Sequence, residues 1–528
     1  MASSHTYSQR RSKSSMKIVN LPQQESERNQ VDYFDETVVS GYSKAMVAIM
    51  PANRRSRKTM LLVVAAGTLV LLLTYLKFVP NERKLGTIAA PYAQKILEKV
   101  SPQTHIQTLD LSHLTRHVGS EQFTYARRII KTKHYTGDRP SLTRVNETLF
   151  GTPHMLDKAN LTTVAIESPE VLTLEVPLSP KVDLSAFSFG MSTKIPRLRD
   201  TIPQIAHWLP GSGCQLHVIA PPHDDDLPLE REIRGMGIDL TITTAVAPFP
   251  KAYFSILKKL YETRTPQTKW LAMFDDDTFV PSLPYLAQHF NKLYSPNDER
   301  MIAAMSDNIG QIHAFGLLPF GGGGIFISVP LAKRLTEEKV WERCMASPKN
   351  QGDQIVNDCL NDFSTVRPTF DMELHQMDIN GDPSGYFESG RRLLTIHHWK
   401  SWFSVNVPMV ANVSKACGDE CVLQRWQFDG ETVLSNGYSI NEYPGGIEKG
   451  NVDLGKVEKT WDGELWRFVH KIGPLREPVK PGVKKSFLLV EANVVEGVGL
   501  RQVYVDRARF VDGQRVGIDR VLELLWLF

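Results

Sequence analysis

The chain reads as an α/β protein with a mixed sheet flanked by helices, an N-terminal transmembrane helix and a β-rich C-terminal extension. Three observations predict this. Short apolar runs alternate with helical-period segments from about residue 183 to 305. One run, Trp270-Leu-Ala-Met-Phe274, leads straight into three aspartates. After about 411, aromatic and β-branched residues are broken by the turn pairs Asp429-Gly430, Asn436-Gly437 and Gly445-Gly446.

Residues 1–58 are polar and rich in Ser, Gln and Arg, which predicts a disordered cytosolic tail. Residues 59–76, TMLLVVAAGTLVLLLTYL, contain no charge and no proline. As a helix they span roughly 27 Å, enough for a thin bilayer. Arg54, Arg55, Arg57 and Lys58 precede them, so the N-terminus is expected in the cytosol and the rest in a lumen. The alternatives are a buried core helix, rarely apolar all round at this length, and a cleaved signal peptide, which 58 leading residues disfavour.

Everything that suits a lumen follows the span. The sequons at Asn146, Asn160 and Asn412 lie there, and so do all five cysteines. Cys344 with Cys359 and Cys417 with Cys421 are the local pairing choices in an oxidising compartment, leaving Cys214 over. A zinc site is the rival reading of these cysteines, but they lack regular CxxC spacing.

Residues 77–175 mix short apolar runs, polar stretches and prolines, and read as a stem. The main α/β unit is expected over 176–410. Its strands are expected at 184–191, 214–220, 238–245, 270–274 and 301–305, and its helices at 198–209, around 254–261, and at 285–293. Ligands of such sheets bind beyond the carboxyl ends of the strands, which is where the acidic run falls. Residues 411–528 form the β-rich extension, and the closing VLELLWLF is too short to span a membrane and is expected to pack on the domain. Composition is ordinary for a globular chain, and a formal net charge of +3 over 528 residues gives no field for a nucleic-acid partner.

Four segments carry candidate chemistry. Asp275, Asp276 and Asp277 repel one another at a strand end, and a hard cation such as manganese or magnesium relieves that and bridges nucleotide phosphates. A solvated acidic turn or a helix cap is the bland reading. The glycines 321–324, before Ile325-Phe-Ile-Ser328, permit close backbone approach and read as a packed turn before a strand. No Gly-Lys-Ser/Thr follows, so this is not a phosphate-binding P-loop. Asp353 opens a helical segment whose Ile355, Val356, Cys359 and Leu360 share a face, so it is either an N-cap or a general base. His397 and His398 can complete an oxygen-rich manganese site, or pack beside tryptophan. Tyr386, Trp399 and Trp402 are an aromatic wall for a sugar face, or core.

Taken in order, FDDDTF, PFGGGGIFIS, GDQIVNDCL, HQMDINGDPSGYFES and LTIHHWKSW resemble the Fringe-like glycosyltransferases, nearest the fungal branch of the β1,3-transferase family 31. The resemblance covers about 185–443. It implies a GT-A fold that binds a UDP-sugar at a DxD bracketed by Asp275 and Asp277, with Asp276 between them. It implies Asp277 and His397 as metal ligands, with His398 as the fallback, and Asp353, six residues before Cys359, as catalytic base. Phe189-Gly190-Met-Ser192-Thr193 matches the loop that contacts the uridine, and Gly322, Gly323 and Gly324 belong to the same donor site. Gln354 stands where relatives often carry a second acid. The implied protein is a type II enzyme of the Golgi or ER membrane that transfers sugar, with inversion and in β1,3 linkage, to a glycan or glycoprotein. An inactive carbohydrate-binding member of the fold and a metal-dependent hydrolase are the alternatives.

Overall fold

The computed structural model describes residues 106–462, 469–511 and 514–528. The expected tail 1–58, the apolar span 59–76 and the first part of the stem lie outside them. Among the described residues no helix is long and apolar enough to cross a membrane.

A seven-stranded sheet carries the candidate site. Its strands are β1 (Phe187–Ser192), β2 (Gln215–Ala220), β3 (Asp239–Thr244), β4 (Trp270–Phe274), β5 (Met301–Ala304), β6 (Phe320–Ser328) and β7 (Thr369–Phe370). Their order across the sheet is β7-β5-β6-β4-β1-β2-β3. Only β6 runs antiparallel to its neighbours β4 and β5. Between the strands lie α1 (Ile195–Trp208), α2 (Asp226–Gly235), α3 (Phe249–Thr263), α4 (Leu283–Leu293) and α5 (Ile309–Phe315). After β6 come α6 (Val329–Leu335), α7 (Glu338–Met345) and α8 (Gly352–Phe363).

The two faces of β4 explain why it is apolar throughout. Trp270, Ala272 and Phe274 pack with Leu198 and Ile205 of α1 and Leu286 and Phe290 of α4. Leu271 and Met273 pack with Phe254 and Leu257 of α3 and Ile355 of α8. A strand covered on both faces buries both sets of its alternating side chains, and each fully buried Leu or Phe contributes about 1.5–3 kcal/mol. Ile355, Val356, Cys359 and Leu360 form the buried face of α8. Cys344–Cys359 ties α7 to α8, Cys417 pairs with Cys421, and Cys214 is free and buried.

The glycine run differs from its sequence reading. Gly321 to Gly324 form no turn; they lie inside β6, whose nine residues are all buried. Their missing side chains make room for neighbours, as the site geometry shows.

The stem assignment also needs correction. Residues 106–177 are folded, and most of their strands join those after 411. Gln122–Tyr135 pairs parallel with Asp519–Leu527 and with Val171–Pro177, and antiparallel with His154–Asp157. Thr143–Val145 pairs with Arg425–Phe428. All belong to one ten-stranded sheet that also contains Lys485–Val495 and Gly499–Asp506. Its core includes Ile130, Leu172, Trp426, Tyr504 and Trp526 from both ends of the chain. The closing apolar run is therefore an interior strand. Two of the predicted turns join strands, with Asp429, Gly430 and Gly437 at positive φ. Of the three sequons, Asn146 and Asn160 are exposed, whereas the Asn412 amide donates to the Ala492 carbonyl.

Candidate functional site

The acidic run leaves the sheet at the carboxyl edge of β4. There Phe274 is in register with Met191 of the parallel strand β1, so Ser192 and Thr193 emerge beside the aspartates. Thr278 fixes the turn. Its hydroxyl accepts from the Asp275 backbone N–H at 3.1 Å and donates to the Gly322 carbonyl at 2.8 Å.

The three carboxylates then go separate ways. Asp276 turns to α1. Its Oδ2 accepts from Arg197 Nε at 2.6 Å, and the Thr193 hydroxyl also donates to it. The Asp276 carbonyl accepts from Thr201 at 2.8 Å and Gln204 at 2.6 Å. Asp275 and Asp277 turn to His397, whose Nε2 lies 2.9 Å from Asp277 Oδ1 and 3.5 Å from Asp275 Oδ2. A short backbone ladder brings His397 there: Phe279 and Ile396 exchange two hydrogen bonds of 2.9 Å. The Trp399 indole then donates to the Asp277 carbonyl at 2.6 Å.

The glycines of β6 close the site from beneath. A Cβ on Gly322 would sit 2.1 Å from His397 Cε1. One on Gly321 would sit 1.6 Å from the Tyr253 hydroxyl and 3.1 Å from Asp353 Oδ1. Asp353 lies in the first turn of α8 but caps nothing; Gln351 is the cap residue, and Asp353 Oδ1 accepts from Gly321 N–H at 3.2 Å.

Electrostatics separates these groups. Burial followed by the charge of Asp275 pushes Asp353 up to about 8. Asp275, 35% exposed at its side chain, is raised to about 6 by the surrounding protein, with its aspartate neighbours adding to this against the charge of His397. Burial also works against ionised Asp277, yet the hydrogen bond and charge of His397 hold it at about 2. His397 is the converse: burial opposes its charged form, and Asp277 and Asp275 outweigh burial and raise its pKa. His398 is pushed down to about 3 by burial and by the charge of His397, and so is neutral at physiological pH.

A cavity of about 450 Å³ opens over this edge. Ser192, Thr193, Lys194, Arg197 and the three aspartates line its polar side, and Ala245, Ala247 and Phe249 its apolar side. This is the size and character of a small-molecule site at the carboxyl ends of strands.

Comparison with known proteins adds little. A family model described as a protein of unknown function, DUF604, matches residues 310–438. No curated protein sequence matches the chain. Among solved structures, the apo glycosyltransferase GlyE of Streptococcus pneumoniae is similar at TM-score 0.24 and 15% identity, over 34% of this chain and 44% of GlyE. Mouse xyloside xylosyltransferase 1 gives 0.22 and 10%, over 33% of this chain and 76% of its own. The 4-diphosphocytidyl-2C-methyl-D-erythritol synthase of Anaerococcus prevotii gives 0.26 and 11%, over 37% and 88%. This chain thus spans under half of GlyE in that first similarity, and scores this low give the overlaps no weight. The functional reading rests on the site itself.

The structure brings Asp275, Asp277, His397 and Asp353 together, with Ser192, Thr193 and Asp276 at the cavity. Other expected contacts are core. Phe189 is fully buried against Trp208 and Phe274, and a Cβ on Gly190 would strike Ile256 at 2.3 Å. Gly323 and Gly324 have no open side; Ala304, Phe274 and Phe326 fill the space where their side chains would be. Tyr386 is buried, packs at a tilt against Trp461 and donates to Asp307 at 3.2 Å, and Trp399 is buried beneath Asp277. Of the proposed aromatic wall only Trp402 keeps part of its surface open, 5.2 Å from the His398 ring. His398 has φ +59° and faces Gln376 at 3.2 Å and Asp378 at 3.5 Å rather than the aspartate pair.

Two features escaped the sequence reading. Lys194 and Arg197 supply the cavity's positive charge, and their one signal was their place just after a strand end. Behind the histidines, Asp378 accepts from Ser306 at 2.5 Å, and Asp307 accepts from Met377 N–H at 2.6 Å with Lys471 4.0 Å away.

The donor set suits a hard divalent ion. Two carboxylates face one imidazole nitrogen, His397 Nε2. Among the described residues no group of three or more His, Cys, Asp or Glu forms a ready metal cage. Magnesium-type sites commonly use one or two protein ligands and complete their shell with substrate phosphates, so a partial set fits that chemistry.

Proposed function

We propose that this chain is a metal-dependent, inverting glycosyltransferase that moves a sugar from a UDP-sugar to a hydroxyl of a glycan or glycoprotein. The contact between Asp277 and His397 carries the reading, because it joins residues 120 positions apart at the mouth of a nucleotide-sized cavity. The motif order that resembles the Fringe-like enzymes supports a β1,3 linkage, and the apolar span 59–76 supports a single-pass anchor in the Golgi or ER membrane with a lumenal site.

In this reading the diphosphate lies across the acidic edge, with Lys194 and Arg197 within reach, and the base against the apolar side formed by Ala245, Ala247 and Phe249. Asp275, Asp277 and His397 would hold manganese or magnesium, with the diphosphate completing the shell. The ion would offset charge developing on the departing diphosphate and favour the ionised form of Asp353. Asp353 takes the proton from the acceptor hydroxyl. The acceptor oxygen bonds to the anomeric carbon as the bond to UDP breaks, so configuration inverts and no covalent enzyme intermediate forms.

A panel of UDP-sugars, assayed for turnover by the full-length protein in detergent, tests this reading. One donor should turn over only with manganese or magnesium, and Asp353→Asn should cut transfer at least ~100-fold while keeping UDP binding. Transfer at the normal rate by that variant would remove Asp353 as base. Phosphoester cleavage without sugar transfer would favour the hydrolase alternative instead.

A further inference from the structure

Tyr253 of α3 is the feature the proposed mechanism leaves unexplained. It is 2% exposed, and two glycines from different elements are moulded around it. A Cβ on Gly352, at the start of α8, would lie 2.4 Å from its ring, and one on Gly321 of β6 would lie 1.6 Å from its hydroxyl oxygen. Both glycines therefore serve to seat this phenol. Gly321 and Gly352 also flank Asp353: one donates its N–H to the carboxylate and the other precedes it in the chain.

The hydroxyl is buried and has no partner at hydrogen-bonding geometry. Leaving such a group unpaired is costly, and a phenylalanine would fill the same space without that cost. The acceptor beside it is Asp353. The site where a Gly321 Cβ would fall is close to both the phenol oxygen and Asp353 Oδ1. The phenol is held protonated, its pKa raised well above the ordinary value by burial and then by the charge of Asp353, so its O–H is available to donate to that carboxylate. Hydrogen bonds of a catalytic group are commonly loose before substrate binds and tighten in the complex.

We infer that Tyr253 is a positioning residue for Asp353: its hydroxyl donates to one carboxylate oxygen and leaves the other aimed at the acceptor hydroxyl. The inference rests on the proposed function, since it takes Asp353 as the base. It assigns Gly321 and Gly352 to the same device.

Tyr253→Phe keeps the ring and removes the donor. In the full-length protein, kcat for transfer should fall roughly tenfold or more, while KM for the UDP-sugar and manganese-dependent UDP affinity stay at wild-type values. Thermal unfolding should match wild type within a few degrees. An unchanged kcat overturns the inference and leaves the glycosyltransferase reading intact. Parallel losses of kcat, UDP affinity and folding would make Tyr253 a packing residue and also overturn it. Gly352→Ala is the second variant: it displaces the ring, so it should lower kcat more than UDP affinity, and the reverse pattern counts against the inference. If wild-type protein transfers no sugar from any donor, the parent reading fails, a result distinct from all of these.

Discussion

His397 is held from three directions. Its Nε2 faces two carboxylates, its ring lies over the bare Cα of Gly322, and the backbone before it is laddered to Phe279. Gly322→Ala would place a methyl 2.1 Å from the ring, which has little freedom to retreat. We expect this variant to lose about 1–3 kcal/mol of stability and, more tellingly, to weaken manganese-dependent UDP binding by roughly tenfold. Calorimetric titration with UDP beside thermal unfolding checks both; intact UDP binding would separate the glycine from the site. The aspartates stood out in the sequence as repelling charges at a strand end, but a solvated turn explains them equally well, and His397, 120 residues on, was singled out as their partner by the motif order. The purpose of the glycines was not legible there. A run of four before an apolar segment reads as a packed turn, and no local pattern says that a histidine, a tyrosine and an alanine from distant segments fill the missing side-chain space.

At the scale of elements, the alternation of apolar runs and helical periods located five strands of the seven-stranded sheet and the apolar end of β6, because buried parallel strands are apolar on both faces, but it missed the two-residue edge strand β7. The same logic missed Gln122–Tyr135. That strand carries Arg127, Arg128, Lys131 and Lys133, which obscure its alternation, and its partner Asp519–Leu527 lies almost 400 residues away. Its charges make sense only with the partner present: Arg127 lies 3.1 Å from the buried Glu523, which His113 also reaches at 2.9 Å. Glu491, on Lys485–Val495 of the same sheet, shows what such buried charge means for stability. Burial alone would raise its pKa, but hydrogen bonds from Arg116, His117 and Arg501 bring it to about 2. A depressed carboxylate pKa stabilises the fold above the unfolded value near 4.5, and that stability is lost as pH falls towards 2. Glu491→Gln should therefore cost about 2 kcal/mol at neutral pH and flatten the stability profile between pH 4.5 and 2, as followed by urea unfolding at each pH. A profile as steep as wild type would mean that Glu491 is not a principal source of acid sensitivity.

Across the whole molecule, the ten-stranded sheet gathers residues 122–177 and 425–527, while the seven-stranded sheet is built from the chain between them. The site depends on that wrapping. Asp277 follows β4, His397 comes after β7, and only the antiparallel β6, running back between β4 and β5, sets Gly321 and Gly322 beneath both His397 and Asp353. Motif order revealed which residues would meet; only the topology shows how they meet. The central claim is that these segments share one cation with a nucleotide diphosphate. Its most direct test is UDP titration of the full-length protein with and without manganese, for wild type and Asp277→Ala. UDP should bind wild type only with the ion present, and the substitution should weaken that binding at least about tenfold. Affinity indifferent to both the ion and the substitution would contradict the claim.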